Sequence, residues 1–549
     1  MKVYEALASA FAAEGTTDVF GMMGDANMHW MNALAGHGTR LYEVRHEGAG
    51  LSMAHGFARA SGRPGVVTTT SGPGTAQLAT SMIVASRART PLVAFCGETA
   101  LGDESAVQYL DQRRFAAAIE CDFLQVAKAD SAQEVVRRAF YTARTESRPV
   151  MVSAPIDVQL QDFEDDMPYV PSTDLLTAPR LLPHPAAVEQ ARDIVASSKR
   201  VVIIAGRGAR GAEADEQILA LQRRTGAMLA TTLQAKNWLC DRSDYHVGIA
   251  GLFGSKLAME LLQEADCVVA VGASLNHYTI ESGYLFPEAK YVQIDTAPHV
   301  VMGNGRVADC YVRADAATGL TALTEALEAR GVAIEGFHTA EVHRRLTAPL
   351  IDPAEYRSEP GLLDPREAIA VIDDELPGDI GLVLGSGHQT DFGTMLFQRS
   401  REVTSNYGMF GAIGQAPLLT IGTVVAGGKP AFVVEGDASF LMHLSEFETA
   451  CRYELPLLVV VMNDEGLGAE FHKAQAKGLD PQLAVIPTPE LGTVARALGG
   501  GGATVRTAAE LRTALAEYVR APRPTVIDVR ITREVLSVPY RRIQYGEDV

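Results

Sequence analysis

The sequence predicts an α/β protein of three domains, each with a mainly parallel sheet flanked by helices. Three observations predict it. Short apolar, β-branched runs alternate with longer amphipathic segments along most of the 549 residues, the pattern of strand–helix–strand units. Two stretches interrupt that alternation. One is 162–185, rich in Pro, Asp and Thr; the other is 338–365, which holds Pro349, Pro353, Pro360 and Pro365 and has no clear period. Both read as linkers. They leave units 1–165, 186–337 and 360–549, each of ordinary domain size.

The elements follow in order. In the first unit Gly65–Thr69, Leu92–Cys96 and Val150–Ser153 are strand-length runs. The central unit contributes Val201–Ala205, Met228–Thr232, Cys267–Val271 and Tyr291–Ile294. The last contributes Gly381–Leu384, Ala431–Val434, Leu457–Met462 and Thr525–Val529. There is no short-period repeat and no low-complexity tract.

Composition narrows the function classes. Lys plus Arg is 48 and Asp plus Glu is 67, a net charge of −19, which disfavours non-specific binding to nucleic acid or an anionic membrane. Hydrophobic residues make up 47% and charged residues 21%, enough apolar material to exclude disorder as the dominant state. The six cysteines are scattered, with no CxxC pair. They suggest neither a disulfide scaffold nor a structural zinc site, and they suit a reducing cytoplasm. Residues 1–15 carry Glu5 and Glu14 and lack a basic start followed by an apolar run, so no signal peptide is expected. No apolar run approaches the roughly 20 residues that a membrane span needs.

The most informative segment runs from Gly436 to Gly468. A strand leads into Glu435-Gly436-Asp437-Ala438-Ser439, an amphipathic helix follows, and a second strand ends in Asn463-Asp464-Glu465-Gly466-Leu467-Gly468. Asp437 and Asp464 thus sit at the carboxyl ends of two expected parallel strands, the edge where ligands bind in open α/β sheets. Two carboxylates and a nearby backbone carbonyl suit magnesium, which keeps few protein ligands and favours phosphate oxygens. Read alone, the same residues are ordinary turn formers.

This spacing resembles the metal and diphosphate motif of thiamine diphosphate enzymes, Gly-Asp-Gly followed after a spacer by Asn-Asn. The resemblance implies Asp437, Asp464 and the Gly466 carbonyl as metal ligands, with Asn463 the alternative if the register slips by one. It also implies that Gly436, Ala438, Ser439, Leu467 and Gly468 line the diphosphate. Ala438 replaces a glycine of the pattern. Asp464 replaces a neutral Asn and adds a negative charge that a divalent ion offsets.

The N-terminal third is similar to the pyrimidine-binding domain of the acetolactate synthase and pyruvate decarboxylase family. It carries Arg45-His46-Glu47-Gly48-Ala49-Gly50, then Gly56-Phe57-Ala58-Arg59-Ala60, then Thr70-Ser71-Gly72-Pro73-Gly74. The resemblance implies that Glu47 bonds the aminopyrimidine ring. A carboxylate there favours the imino tautomer, whose exocyclic nitrogen takes the thiazolium proton. It implies further that Ile413 props the cofactor in its bent form, a proximity device, that the Gly411 carbonyl accepts from the exocyclic amine, and that Gly72 belongs to the cofactor surface. Gly387, His388 and Gln389 follow the strand Gly381–Leu384, where small residues let backbone N–H groups approach phosphate. The three domains then become pyrimidine-binding, central and diphosphate-binding. In this family the residues matching Glu47 and Asp437 act on one cofactor from different subunits, so a homodimer or homotetramer is implied.

On the substrate side the resemblance is mixed. Gly24-Asp25-Ala26-Asn27 is similar to the Gly-Asp-Phe-Asn of pyruvate and indolepyruvate decarboxylases, and Glu470 stands where those enzymes keep a catalytic Glu. Their adjacent His pair is absent. Gln108-Tyr109-Leu110-Asp111-Gln112 takes its place, which makes Gln108 or Gln112 a substrate contact, as in acetolactate synthases. His29 is a further candidate near Asp25. The implied activity is decarboxylation of a small-molecule 2-oxo acid, with release of an aldehyde or ligation to a second carbonyl. The alternatives are an acetolactate-synthase-type carboligase, a lyase of a 2-hydroxyacyl-CoA, acyloin or diketone using Arg541 and Arg542 for CoA phosphates, and a cofactor-binding homologue without catalysis. The central Gly206-Arg207-Gly208-Ala209-Arg210-Gly211 formally matches a dinucleotide fingerprint. The next strand supplies no acidic residue before Asp241, so a tight turn is expected there rather than a nicotinamide site. The Gly-Met-His-Gly of the family's flavin binders appears as Ile249-Ala250-Gly251-Leu252, and FAD is not expected.

Overall fold

Strands form where β-branched runs are buried on both faces, and helices cover those faces. The structure is a computed structural model that describes residues 1–164, 167–176, 180–297, 301–348, 352–357, 359–405 and 407–546. Parts of both linkers, Pro349 among them, lie outside the described residues.

The first sheet contains β1 (Asp18–Gly21), β2 (Arg40–Glu43), β3 (Gly65–Thr69), β4 (Leu92–Glu98), β5 (Asp122–Gln125) and β6 (Pro149–Pro155), in the order β2-β1-β3-β4-β6-β5. The second contains β7 (Val201–Ala205), β8 (Met228–Thr231), β9 (His246–Ile249), β10 (Cys267–Val271), β11 (Lys290–Asp295) and β12 (Cys310–Arg313), ordered β12-β11-β10-β7-β8-β9. The third contains β13 (Gly381–Leu384), β14 (Val403–Ser405), β15 (Ala431–Gly436), β16 (Leu457–Asn463), β17 (Gly501–Val505) and β18 (Thr525–Arg530), ordered β14-β13-β15-β16-β18-β17. Every strand pair within these sheets is parallel. The three-domain α/β class expected from the sequence is therefore the observed one, with fully rather than mainly parallel sheets.

The first and third sheets have one strand order, and the second has the doubly wound order of nucleotide-binding folds. In the first and third the order reverses between β1 and β3 and between β13 and β15. A crevice opens outside the strand ends at such a point, and ligands bind there.

The first and third domains share a core. Helix Glu47–Ser61 packs along helix Ala416–Gly427, and Phe20, Met53, Leu419, Val433 and Phe440 belong to one buried cluster. The helices approach so closely that a β-carbon on Gly56 would meet Leu419 O at 2.0 Å, and one on Gly422 would meet Met53 O at 1.8 Å. Only glycine permits this contact. Among the described residues no helix is long and apolar enough to cross a membrane.

Candidate active site

The crevice between β13 and β15 is a cavity of about 460 Å³. β13 feeds the Gly385–Gly387 turn and helix His388–Leu396, and β15 feeds helix Asp437–Met442. Gly387, His388 and Gln389 line one wall; Gly436, Ala438 and Ser439 line the second. Gly411 and Ile413 face them, and Gly466, Leu467, Gly468 and Glu470 close the remaining side. Ser439 Oγ accepts from Gly414 N at 2.6 Å, which ties the Gly411–Gly414 turn to the second wall.

Asp437 and Asp464 are brought together at the ends of neighbouring strands β15 and β16. Asp437 is 1% exposed; its Oδ2 accepts from Gly466 N at 3.1 Å, and its Oδ1 has no hydrogen-bond partner. Burial and then the charge of Asp464 push the Asp437 carboxyl upward. Burial also raises Asp464, and Arg533 partly offsets the rise. A buried carboxylate with an unpartnered oxygen, set beside a half-buried second carboxylate, is costly without a cation. This donor set fits a divalent metal with diphosphate oxygens completing its shell. Asn463 does not share in it. Its amide donates to Asp528 Oδ1 (2.8 Å) and Thr488 Oγ1 (3.0 Å), and its Oδ1 accepts from Glu465 N.

Other groups brace this end of the sheet. Arg533 donates to the carbonyls of Asp464 and Glu465, and Arg530 pairs with Glu465 at 2.9 Å. Glu435 is fully buried; its Oε1 accepts from Gln389 Nε2 (2.9 Å) and Gly436 N (3.0 Å), and burial raises its carboxyl to about 7. His388 Nε2 accepts from Ser537 N at 3.0 Å, so its proton sits on Nδ1. Burial, then His472, holds its pKa well down. Glu470 is exposed at the mouth and pairs with Lys473 at 2.9 Å. Neither Arg533 nor Glu435 was singled out in the sequence. Arg533 lies far along the chain with no local pattern, and Glu435 reads there as the end of a strand.

The remaining site candidates gather at the corresponding edge of the first sheet. Glu47 opens its helix, half-buried, with Oε1 so near Gly74 that a β-carbon there would lie 3.0 Å away. Gln108 packs its backbone against Gly72 and accepts from Ser71 Oγ at 2.8 Å. Asp25 is exposed in the turn after β1. Two candidates are engaged elsewhere. Gln112 is 1% exposed, its amide donating to Gly97 O at 2.8 Å, and His29 rests on Tyr4, ring centroids 5.2 Å apart. Among the described residues, the cavity in the third domain takes only Arg87 from the first.

The central glycines are used in packing. A β-carbon on Gly206 would meet Gly272 O at 2.1 Å, and Gly208 N donates to that same oxygen at 3.1 Å. Beside this turn lies a second cleft, of about 500 Å³, with Arg87, Arg89 and Arg207 on its walls.

Three family descriptions match in succession: the N-terminal TPP binding domain of thiamine pyrophosphate enzymes over residues 1–119, their central domain over 188–323 and their C-terminal TPP binding domain over 385–529. The chain is 28% identical over 548 residues to a probable acetolactate synthase large subunit of Methanocaldococcus jannaschii, covering 97% of this chain and 92% of that one. It is 27% identical over 573 residues to a sulfoacetaldehyde acetyltransferase of Castellaniella defragrans, covering 98% and 94%. It is 28% identical over 553 residues to an acetolactate synthase large subunit of Parasynechococcus marenigrum, covering 96% and 87%.

Proposed function

The chain belongs to the thiamine pyrophosphate enzymes, in the acetolactate synthase family of carboligase type, and on that premise we propose that it decarboxylates a small 2-oxo acid and passes the remaining acyl unit to a second carbonyl or, lacking one, to a proton. The observation that carries this reading is the carboxylate pair, buried Asp437 and half-buried Asp464, at adjacent parallel strand ends beside a glycine-lined cavity.

In this reading Asp437, Asp464 and the Gly466 carbonyl hold magnesium, and the turn at Gly387 with the start of helix Asp437–Met442 receives the diphosphate. Thiamine diphosphate, when bound, supplies the electron sink for the electrons that CO2 leaves behind. Glu47 of the partner subunit holds the proton at the aminopyrimidine ring nitrogen, because the chain's own cavity includes no Glu47. Ile413 wedges the two rings into proximity. Glu470, at the mouth, donates the proton that releases an aldehyde. Gln108 and Asp25 orient the substrate. Gln112 is left out, its amide being spent on Gly97.

Arg541 pairs with Asp352 at 2.6 Å, and Arg542 donates to the carbonyls of Leu252 and Gly254. With both so engaged, the acyl-CoA alternative loses its phosphate contacts. The reading includes no FAD, in keeping with glycines 206 and 208 being spent on packing, and it expects purified protein without visible flavin absorbance. It places the enzyme in the cytoplasm, where six free cysteines are stable.

The test is calorimetry of thiamine diphosphate binding with and without magnesium, followed by a CO2-release screen over short, branched and aromatic 2-oxo acids. Metal-dependent binding with CO2 release supports the reading, and the product, acyloin or aldehyde, separates ligation from simple decarboxylation. Binding without CO2 release from any acid overturns it in favour of a lyase.

A further inference from the structure

Helix Ser445–Arg452 follows helix Asp437–Met442 almost directly, yet much of its polar surface is turned to the first domain. Tyr453 Oη accepts from Glu43 N (2.9 Å) and donates to Leu41 O (3.2 Å), and Arg452 donates to Glu43 O (2.7 Å). These contacts cover the edge strand β2. Arg45, just beyond β2, pairs with Glu448 at 2.9 Å.

The deepest member of this clasp is Glu446, which is fully buried. Its Oε1 accepts from Arg45 N at 2.9 Å, the N–H of His46 also donates to the carboxylate, and Oε2 accepts from Thr449 Oγ1 at 2.8 Å. Burying a carboxylate is unfavourable unless its oxygens are hydrogen-bonded, and here, beside Thr449, the donors are the N–H groups of the two residues that precede Glu47. His46 in turn caps the helix that Glu47 opens, its Nδ1 accepting from Gly48 N at 3.1 Å. The backbone that aims Glu47 is thus held from outside its own domain.

We propose that Glu446 is a positioning residue for Glu47, fixing the Arg45–His46 backbone so that the Glu47 carboxylate is presented in one orientation. The role rests on the reading of Glu47 as the group that activates the cofactor. It requires the reach of the side chain rather than its charge. Aspartate withdraws the acceptor from Arg45 N, whereas glutamine keeps it there.

The full-length Glu446→Ala, Glu446→Asp and Glu446→Gln variants are compared with wild type, Tyr453→Phe and Glu47→Gln. Three quantities are read: amide hydrogen exchange across residues 41–48 without cofactor, affinity for thiamine diphosphate with magnesium, and deuterium exchange at the thiazolium C2 of bound cofactor, by acid quench and NMR. Alanine and aspartate are expected to speed the Arg45 and His46 amides and to slow C2 exchange, each by about tenfold. Affinity should stay within about threefold of wild type, glutamine should restore C2 exchange to within about threefold, and Tyr453→Phe should stay within about twofold. If the alanine variant does not fold, the aspartate and glutamine pair carries the comparison. C2 exchange near wild type in Glu446→Asp, with Glu47→Gln impaired, overturns the positioning role. An equal loss in Tyr453→Phe also overturns it, by assigning the effect to the clasp as a whole. Unimpaired C2 exchange in Glu47→Gln overturns the reading of Glu47, and the positioning role with it.

Discussion

The first and third sheets share a strand order, and corresponding loops at their carboxyl edges carry different chemistry. After β13 and β15 come the Gly387 turn and the Gly436–Ser439 segment, walls of a cavity, with the carboxylates of Asp437 and Asp464 beside it. After β1 and β3 come Asp25 and the Ser71–Gly74 turn, with Glu47 at the start of the helix that leads into β3. The corresponding helix of the third sheet starts at Ala416, after a buried Gln415 that accepts from Ser52 and Ser81 of the first domain. The comparison separates two contributions. Topology supplies the crevice twice, and a few side chains decide which half of a cofactor each crevice suits.

The largest expected effect breaks the comparison at its most asymmetric point. Glu47→Gln is expected to keep thiamine diphosphate bound and to lower turnover by about a thousandfold, checked by steady-state kinetics alongside calorimetry. Next comes the contact that joins the two halves. In Gly422→Ala the β-carbon would fall 1.8 Å from Met53 O, and destabilisation of about 3 kcal/mol is expected in urea unfolding.

Glu435 tests the electrostatic difference between the crevices. Its carboxyl is raised from 4.5 to about 7 by burial, so the folded state binds the proton more tightly than the unfolded chain. The stability this contributes is fully present below pH 4.5 and is lost as pH rises through 7. Glu435→Gln removes that loss. The metal-free variant is expected to gain about 2 kcal/mol on wild type at pH 8 relative to pH 5, where the glutamate is still largely protonated. Equal pH profiles in urea melts would refute this. The smallest effect sharpens the third site alone: Asp464→Asn, which restores the neutral residue of the family pattern, is expected to raise the magnesium concentration needed for half-saturation by about tenfold.

The sequence was legible where burial was two-sided. Val201–Ala205 and Cys267–Val271 are β-branched, fully buried strands with the expected limits. β2 and β5 were not anticipated, because edge strands are short and half-exposed, and their residues do not separate from loop composition. The candidate site divides in a similar way. Asp437, Asp464 and Gly466 are legible as candidates because one strand–helix–strand unit carries them at a fixed spacing, and the structure brings Asp437 and Gly466 into hydrogen-bond contact. Arg533, which braces Asp464, is brought there only by tertiary folding. His29 is a candidate for its nearness along the chain to Asp25, and Gln112 for the likeness of its loop to acetolactate synthases; neither signal fixes the direction of a side chain, and the structure sets His29 on Tyr4 and the Gln112 amide on Gly97. Glu446 carried no signal, since a glutamate in an amphipathic helix reads as a solvated face until β2 is packed against it.

The glycine contact between helices Glu47–Ser61 and Ala416–Gly427 has a mechanical consequence. Neither helix can slide or roll on the other without driving a carbonyl oxygen into an α-carbon, so the first and third domains of one chain move as a single block. Breathing that admits substrate or releases product then falls at other seams of the fold, such as the one beside the central domain. On the proposed reading, in which the cofactor spans two chains, each such motion changes the distance between its two ends.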